Sequence, residues 1–388
     1  MNINRSGISL MVAAALPFVS FSSAAYTGMD ARGGAMGGTG VASATYLTAA
    51  FYNPALATNY KSNDDFGLLL PSISVSGHDA DDMVKKVEDF QDINDKLDSD
   101  PALRQAWEDA LRALDNGQVV ANAKVGLVAA LPNSMLSASM FAKADVAVFG
   151  ITDIAESDLT NPNPDTSDLD SMVTAVAGGT VDVGVTLAKS FDLPAYGQQI
   201  SVGFSPKFQK LVAINVMENV GKFEFDMDDP EQSSAFNMDL GVAYEPVNNV
   251  TIGFTAMNLL KQELETNKII GDMGESYSAT YLVEPQYKLG AAYANGWFTV
   301  AADVDLNKQQ YFKQFDYSTQ FAKVGVELDA WEWAQLRAGY SHSMTEHADS
   351  IMTAGIGFKP FGLFGFDLAG QFGKDNNYGV SAQLVFTM

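Results

Sequence analysis

The sequence predicts an all-β fold: a 14-stranded antiparallel transmembrane β-barrel with an N-terminal hatch inside the lumen and a helical extracellular loop. Three observations predict it. Segments of about ten residues alternate apolar and polar side chains, the dyad pattern of a strand with lipid on one side and a lumen on the other. The connections between these segments sort into short and long. After the first 25 residues, no stretch approaches the roughly 18 consecutive apolar residues of a membrane helix.

Composition narrows the function classes. The 388 residues hold 47 Asp plus Glu against 23 Lys plus Arg, a formal net charge of -24. Nucleic-acid binding needs a basic footprint and is excluded as a partner class. With 0 Cys there is no disulfide scaffold, thiolate zinc site or thioredoxin-type centre, and cysteine usage leaves the compartment open.

Residues 1–25 supply the compartment. Arg5 precedes an apolar stretch over 10–21, and Ser23, Ala24 and Ala25 offer small residues for cleavage before Tyr26. This is the order of a secretory signal peptide, and it directs the chain to the bacterial outer membrane, with outer-membrane lipid as its surroundings.

Residues 26–62 are expected to form a hatch, or plug. The run is rich in Gly, Ala and Ser, and 28–55, to Pro54 and Ala55, carries only the charges of Asp30 and Arg32. Gly33, Gly34, Gly37 and Gly38 allow close backbone approach and positive φ. Asn53 caps a short helix with Pro54 at its first position and Ala55 following. Fourteen strands enclose more space than their side chains alone fill, so such a segment has somewhere to go. A phosphate loop is excluded: GGAMGGTG at 33–40 has no Gly-x-Gly-x-x-Gly register and follows no strand.

The barrel occupies 63–388. Candidate strands lie near 66–76, 120–131, 136–149, 179–190, 198–210, 235–245, 249–258, 284–294, 297–306, 319–329, 334–343, 350–359, 363–373 and 377–388. In the last, Tyr378, Val380, Ala382, Leu384, Phe386 and Met388 oppose Gly379, Ser381, Gln383, Val385 and Thr387. A soluble sandwich would show strands nearer 5 or 6 residues and loops unsorted by length. Here the even-numbered connections are short, as periplasmic turns are. The first three odd-numbered ones are long, about 43, 29 and 24 residues.

Those three long loops carry most of the acid. Residues 78–118 hold 12 acids and 5 bases, 150–178 hold 6 acids and no base, and 211–235 hold 6 acids and Lys222. A solvated exposed face is the favoured reading. DMDDPE at 226–231 lacks the spacing of a calcium loop, so no metal is assigned. In the first loop, Val84, Val87, Phe90, Ile93 and Leu97, then Leu103, Trp107, Ala110, Leu111 and Leu114, recur at helical spacing. Ser99 or Asp100 with Pro101 starts the second helix, and Asn116-Gly117 stops it.

No enzyme is read from the chain. His78, His342 and His347 fall in or beside external loops with no metal spacing, and no Gly-x-Ser-x-Gly motif appears. No cofactor is implied. The register instead turns Lys124, Lys143, Asp145, Asp182, Lys207, Asp239, Lys288, Asp303, Lys323, Glu327, Arg337 and Asp367 toward the lumen. They either hold an amphipathic ligand or pair with one another to hold the hatch. Pairing is favoured, because buried ions need partners whatever the function.

The glycine-rich N-terminus running into FYNPA, followed by fourteen strands, resembles the FadL-type outer-membrane transporters of hydrophobic compounds. Within that superfamily the chain most resembles exported conjugal transfer proteins of the TraF type. The resemblance implies a hatch containing Asn53, Pro54 and Ala55, passive passage of a small hydrophobic ligand, and a sideways opening in the wall. The alternative is a non-transporting envelope component, structural or docked to conjugation proteins. Passage predicts an apolar pocket behind the acidic rim and an interrupted wall, for which Pro71 and Pro206 are the best-placed breakers.

Overall fold

The computed structural model describes residues 28–62, 64–79, 81–161, 164–193, 198–224, 229–270, 276–315, 317–330, 333–346, 348–374 and 376–388. The expected signal peptide and His347 lie outside the described residues. Fourteen strands build one sheet: β1 Gly67–His78, β2 Gln118–Leu131, β3 Ser137–Asp153, β4 Met172–Leu193, β5 Gln198–Asn219, β6 Glu231–Val247, β7 Val250–Met257, β8 Gln286–Ala294, β9 Phe298–Asp305, β10 Phe321–Ala330, β11 Ala334–Ser343, β12 Ile351–Phe358, β13 Phe364–Phe372 and β14 Asn377–Thr387. Each pairs antiparallel with its sequence neighbour from β2 onward. β1 pairs with β14 and lies beside β2, which closes the barrel.

Alternation decides which side chains meet lipid. Phe208, Met140, Leu336, Ile356 and Leu384 point outward, 50 to 76 % exposed, part of an apolar band no water-soluble surface would tolerate. At the short-turn end Trp297, Trp333, Phe358 and Phe364 form an aromatic girdle. The turns there are tight, and three use left-handed backbone, Asn249 at φ 71°, Gly296 at φ 91° and Gly362 at φ 70°.

Two loops are shorter than the sequence reading expects. β3 to β6 climb past the other strands, so the second and third long connections shrink to 154–171 and 220–230. The β4–β5 ladder runs without a break from Gly184↔Lys207 to Met172↔Asn219. Over 175–179 both faces of β4 are buried, so the apolar–polar alternation that marks a strand disappears.

The first long loop is helical. α-helices span Met83–Leu97 and Arg104–Arg112, and Asp100 caps the second segment by accepting from the Ala102 amide at 3.2 Å. Phe90, Trp107, Leu111 and Leu114 pack on one another and on Leu159, Leu169, Val173 and Val220 at the rim. Asn116, at φ 55°, ends the hairpin.

Candidate functional site

Residues 28–57 are almost entirely buried inside the barrel. A five-residue helix, Ala31–Ala35, is capped by Asp30, whose carboxylate accepts from the Gly33 amide at 3.1 Å and the Tyr52 hydroxyl at 2.5 Å. Gly33 and Gly34 lie in this helix: a Cβ on Gly33 would fall 2.1 Å from the Tyr52 hydroxyl. Gly37 and Gly38 follow in left-handed backbone at φ 72° and 80°. Asn53 accepts from the Ala55 amide at 3.1 Å, with Pro54 opening the 3₁₀ turn Pro54–Thr58. The Asn53 amide also donates to the carbonyls of Val41 at 2.7 Å and Val242 at 3.1 Å, tying two parts of the segment to β6.

The wall is shaped to receive it. Cβ atoms on Gly203, Gly241, Gly253, Gly325 and Gly339 would lie 2.0 to 2.4 Å from hatch atoms, closer than real Cβ atoms approach anything. Gly203 faces Gly241, Gly253 faces Gly290 and Gly325 faces Gly339 across their ladders, so the glycines form a seat for backbone.

Charged residues of the lumen face complete the seat. Arg32 binds Glu327 through two bonds of 2.8 and 2.9 Å and donates to the Ser43 carbonyl at 2.7 Å. Glu327 also takes the Arg337 Nε at 2.6 Å, and Arg337 reaches Asp367 at 2.5 Å. Gln383 donates to Asp367 at 2.8 Å and accepts from the Ala31 amide at 3.0 Å. One oxygen of Asp303 accepts from the Gly40 and Val41 amides at 2.7 and 2.9 Å.

The other lumen candidates sit above the hatch. Lys207, fully buried, contacts Asp182 at 3.1 Å, Asp239 at 3.0 Å and the side-chain Oδ1 of Asn258 at 2.6 Å. Lys143 pairs with Asp182 at 3.7 Å, Lys124 with Asp145 at 3.3 Å, and Lys288 and Lys323 with Asp305 at 3.8 and 3.4 Å. Four of these pairs, including Glu327–Arg337, face each other directly across a ladder or lie one residue off. The structure thus places the lumen candidates inside and gives each a charged partner except Asp303, whose carboxylate is held by hatch amides.

Between hatch and mouth is a cavity of ≈ 100 Å³. Met29, Phe51 and Tyr52 form its floor, and Lys124, Lys143, Asp145, Asp182 and Lys288 form its sides. Its roof is a lid made by the described residues of the connections 258–285 and 306–320. There Gln262–Glu265 pairs with Thr280–Val283, and Tyr281 bridges to Phe312. Phe149 from β3 meets Phe312 at 5.6 Å and Tyr317 at 5.0 Å, with Tyr281, Tyr311 and Phe315 in the same cluster. The cavity is therefore amphiphilic, where the transport expectation was an apolar pocket. Pairing in the wall is interrupted beside both prolines, between Leu69 and Ser72 on β1 and over Val185–Thr186 against Ser205–Pro206 between β4 and β5.

Sequence reading missed Asp305, Gln209, Asn258 and Gln383 as lumen partners, the wall glycines, and the aromatic lid. Asp305 and Gln383 lie on the polar faces of recognised strands, so alternation alone would have found them. The glycines carry no local signal, because their role depends on residues some 150 to 300 positions away.

The fold and site define a fourteen-stranded transmembrane barrel with its N-terminal segment seated in the lumen. The chain matches the family model described as F plasmid transfer operon, TraF, protein, over residues 50–305, and belongs to that family. No curated protein matches it. Among solved structures, the toluene transporter TodX of P. putida superposes with a TM-score of 0.54 at 12% identity, covering 93% of this chain and 98% of that one. A TodX deltaS2S3 mutant, described as a monoaromatic hydrocarbon channel, gives the same values. A Pseudomonas aeruginosa FadL homologue covers 95% of this chain and 98% of its own at 11% identity and a TM-score of 0.42. The TodX likeness is one of fold.

Proposed function

We propose that this chain is an outer-membrane barrel for passive uptake of small hydrophobic compounds, closed at its periplasmic end by the hatch and not acting as an enzyme. In this reading residues 1–25 are the cleaved export signal and the long loops face the outside. The observation that carries it is the cavity of ≈ 100 Å³ between Phe51 and Tyr52 of the hatch and Tyr281 and Tyr311 of the lid. Its size suits a few waters or one small solute. Aromatic faces above and below offer dispersion contacts to an apolar body, and the paired lysines and aspartates at the sides leave little net charge to attract an ion.

The test is to purify the protein under mild conditions, identify co-purifying small molecules by mass spectrometry, and compare toluene uptake by cells with and without it. An apolar compound in the barrel and slower uptake in the deletion strain are expected. An empty barrel with unchanged uptake would sink the reading.

Membership of the TraF family favours a second reading, a non-transporting envelope component that docks conjugation proteins. A fall in conjugation frequency on deletion, with hydrocarbon uptake unchanged, would select it.

A further inference from the structure

The hatch is held in two different ways along its length. Residues 30–41 and 53–55 are clamped by the wall: Arg32 to Glu327, Ala31 to Gln383, Gly40 and Val41 to Asp303, Gly37 and Ala35 to the Thr353 hydroxyl at 2.9 and 2.7 Å, and Asn53 to Val242. Residues 45–51 are not: among the described residues their hydrogen bonds stay within the hatch, from Tyr46 to Asn59, Thr48 to Thr45 and Phe51 to Thr48. Against the wall they place only apolar surface, Tyr46, Leu47, Ala49, Ala50 and Phe51 on Leu69, Val128, Ala130, Phe141 and Ala188. The Tyr46 hydroxyl is buried without a hydrogen-bond partner.

The lumen is divided to match. On β9 to β14 the wall under the clamp carries Asp303, Glu327, Arg337, Thr353 and Gln383 beside glycines, whereas under residues 45–51 the strands β1 to β4 place mainly apolar side chains, Leu69, Val128, Ala130, Phe141 and Ala188, with the small hydroxyls of Ser139 and Thr186 beside them. This apolar track starts at the cavity floor, where Phe51 and Tyr52 lie, and reaches Gly67 at the short-turn end of β1, against which Leu47 and Tyr46 pack.

We propose that the hatch does not move as a unit: residues 45–51 form a strap that lifts from the β1–β4 wall, while the clamp stays seated. Lifting the clamp would strand Glu327 and Asp303 as buried carboxylates without their hatch partners, a cost that water at a narrow lumen offsets poorly. Lifting the strap separates mainly apolar side chains from the wall. A hydrophobic solute descending the track replaces the strap's contacts with its own, so the solute itself lowers the cost of opening. The solute class named here rests on the passage reading above; the division of the hatch does not.

Hydrogen exchange on the intact barrel tests the division without reference to transport. Both parts have buried, hydrogen-bonded amides, so similar local structure would give similar protection. Amides of Tyr46, Thr48 and Phe51 should exchange about 100-fold faster than those of Gly34, Met36, Gly40 and Val41. Equal protection, or a less protected clamp, would overturn the proposal.

Paired cysteines test its consequence in a chain that has none of its own. Leu47 lies against Gly67, where an added Cβ would stand 2.8 Å from Leu47 Cδ2. Cross-linking Leu47→Cys/Gly67→Cys by oxidation should cut toluene uptake about tenfold, reversibly on reduction. Unchanged uptake with the cross-link shown to have formed would refute the strap. Absence of uptake by the unmodified protein, with the exchange difference present, would refute passage and leave the strap intact.

Discussion

The hatch and the lid both close the lumen, but they are built from opposite materials. The hatch is short-chained: backbone rests on wall glycines and a few buried ions fix it. The lid is a cluster of rings, Phe149, Tyr281, Tyr311, Phe312, Phe315 and Tyr317, drawn from one strand and two connections. Its ion pairs, Lys261 with Glu284 and Lys313 with Glu263, are on the outside. The hatch depends on features of at least eight strands placed to receive it, while the lid depends mainly on its own rings. A stopper seated in a preformed mould is sensitive to changes in the mould; one made of packed rings is sensitive to changes in itself.

The largest effect should follow from deleting residues 28–60. The barrel would keep its strands but lose its filling, and single-channel recording should show a conductance absent from the full chain. Unchanged conductance would mean that the lid alone seals the barrel.

Next is Glu327→Gln. Glu327 stands between Arg32 and Arg337, and removing one member of a buried ion network typically costs about 3–5 kcal/mol. The temperature at which the barrel loses its folded gel mobility should fall, and hatch amides near Arg32 should lose protection. A variant as stable as the parent would show that the network contributes little to the seat.

Phe312→Ala, at a side chain 1% exposed, should cost about 3–5 kcal/mol but only within the lid. Limited proteolysis in the connections 258–285 and 306–320 should accelerate while the barrel's melting is unaffected. If the whole barrel melted earlier, lid and barrel would be one cooperative unit and the contrast drawn above would fail.

Gly241→Ala tests the mould. The added Cβ would stand 2.0 Å from Asn53 Oδ1, and such overpacking costs about 1–3 kcal/mol. Hatch amides around Asn53 should lose protection, with the lid unchanged.

The smallest effect is on pH. Hydrogen bonds from Lys313 and then Lys261 hold the exposed Glu263 carboxyl below its usual range. A group with a depressed folded pKa contributes above its unfolded value, about 4.3, and that contribution is lost as pH falls through the folded one. Proteolysis of the lid should therefore speed up modestly only below about pH 4. Acceleration between pH 5 and 7 would point to a different group.

Much of the wall was legible because alternation is a local property. Phe364, Phe366 and Leu368 opposing Gly365 and Asp367 declare a strand with no knowledge of its neighbours, and the tight turns mark where each ends. The cap of Asn53 and Pro54 was readable for the same reason. Where both faces are buried, over 175–179 of β4 and 211–215 of β5, the alternation vanished, and with it the correct length of two loops.

By itself, then, the sequence determined which residues face lipid and which face the lumen, how many strands there are, and that a small-residue segment precedes them. Only the tertiary structure decided what the lumen residues do. Arg32 and Glu327 are 295 positions apart, and no spacing rule connects them. Gly241 looks like any strand glycine until Asn53 is laid against it. Which charges pair, where an apolar track is left between them, and how the rings of two distant connections roof a cavity follow from closing the barrel, which brings the last strand beside the first.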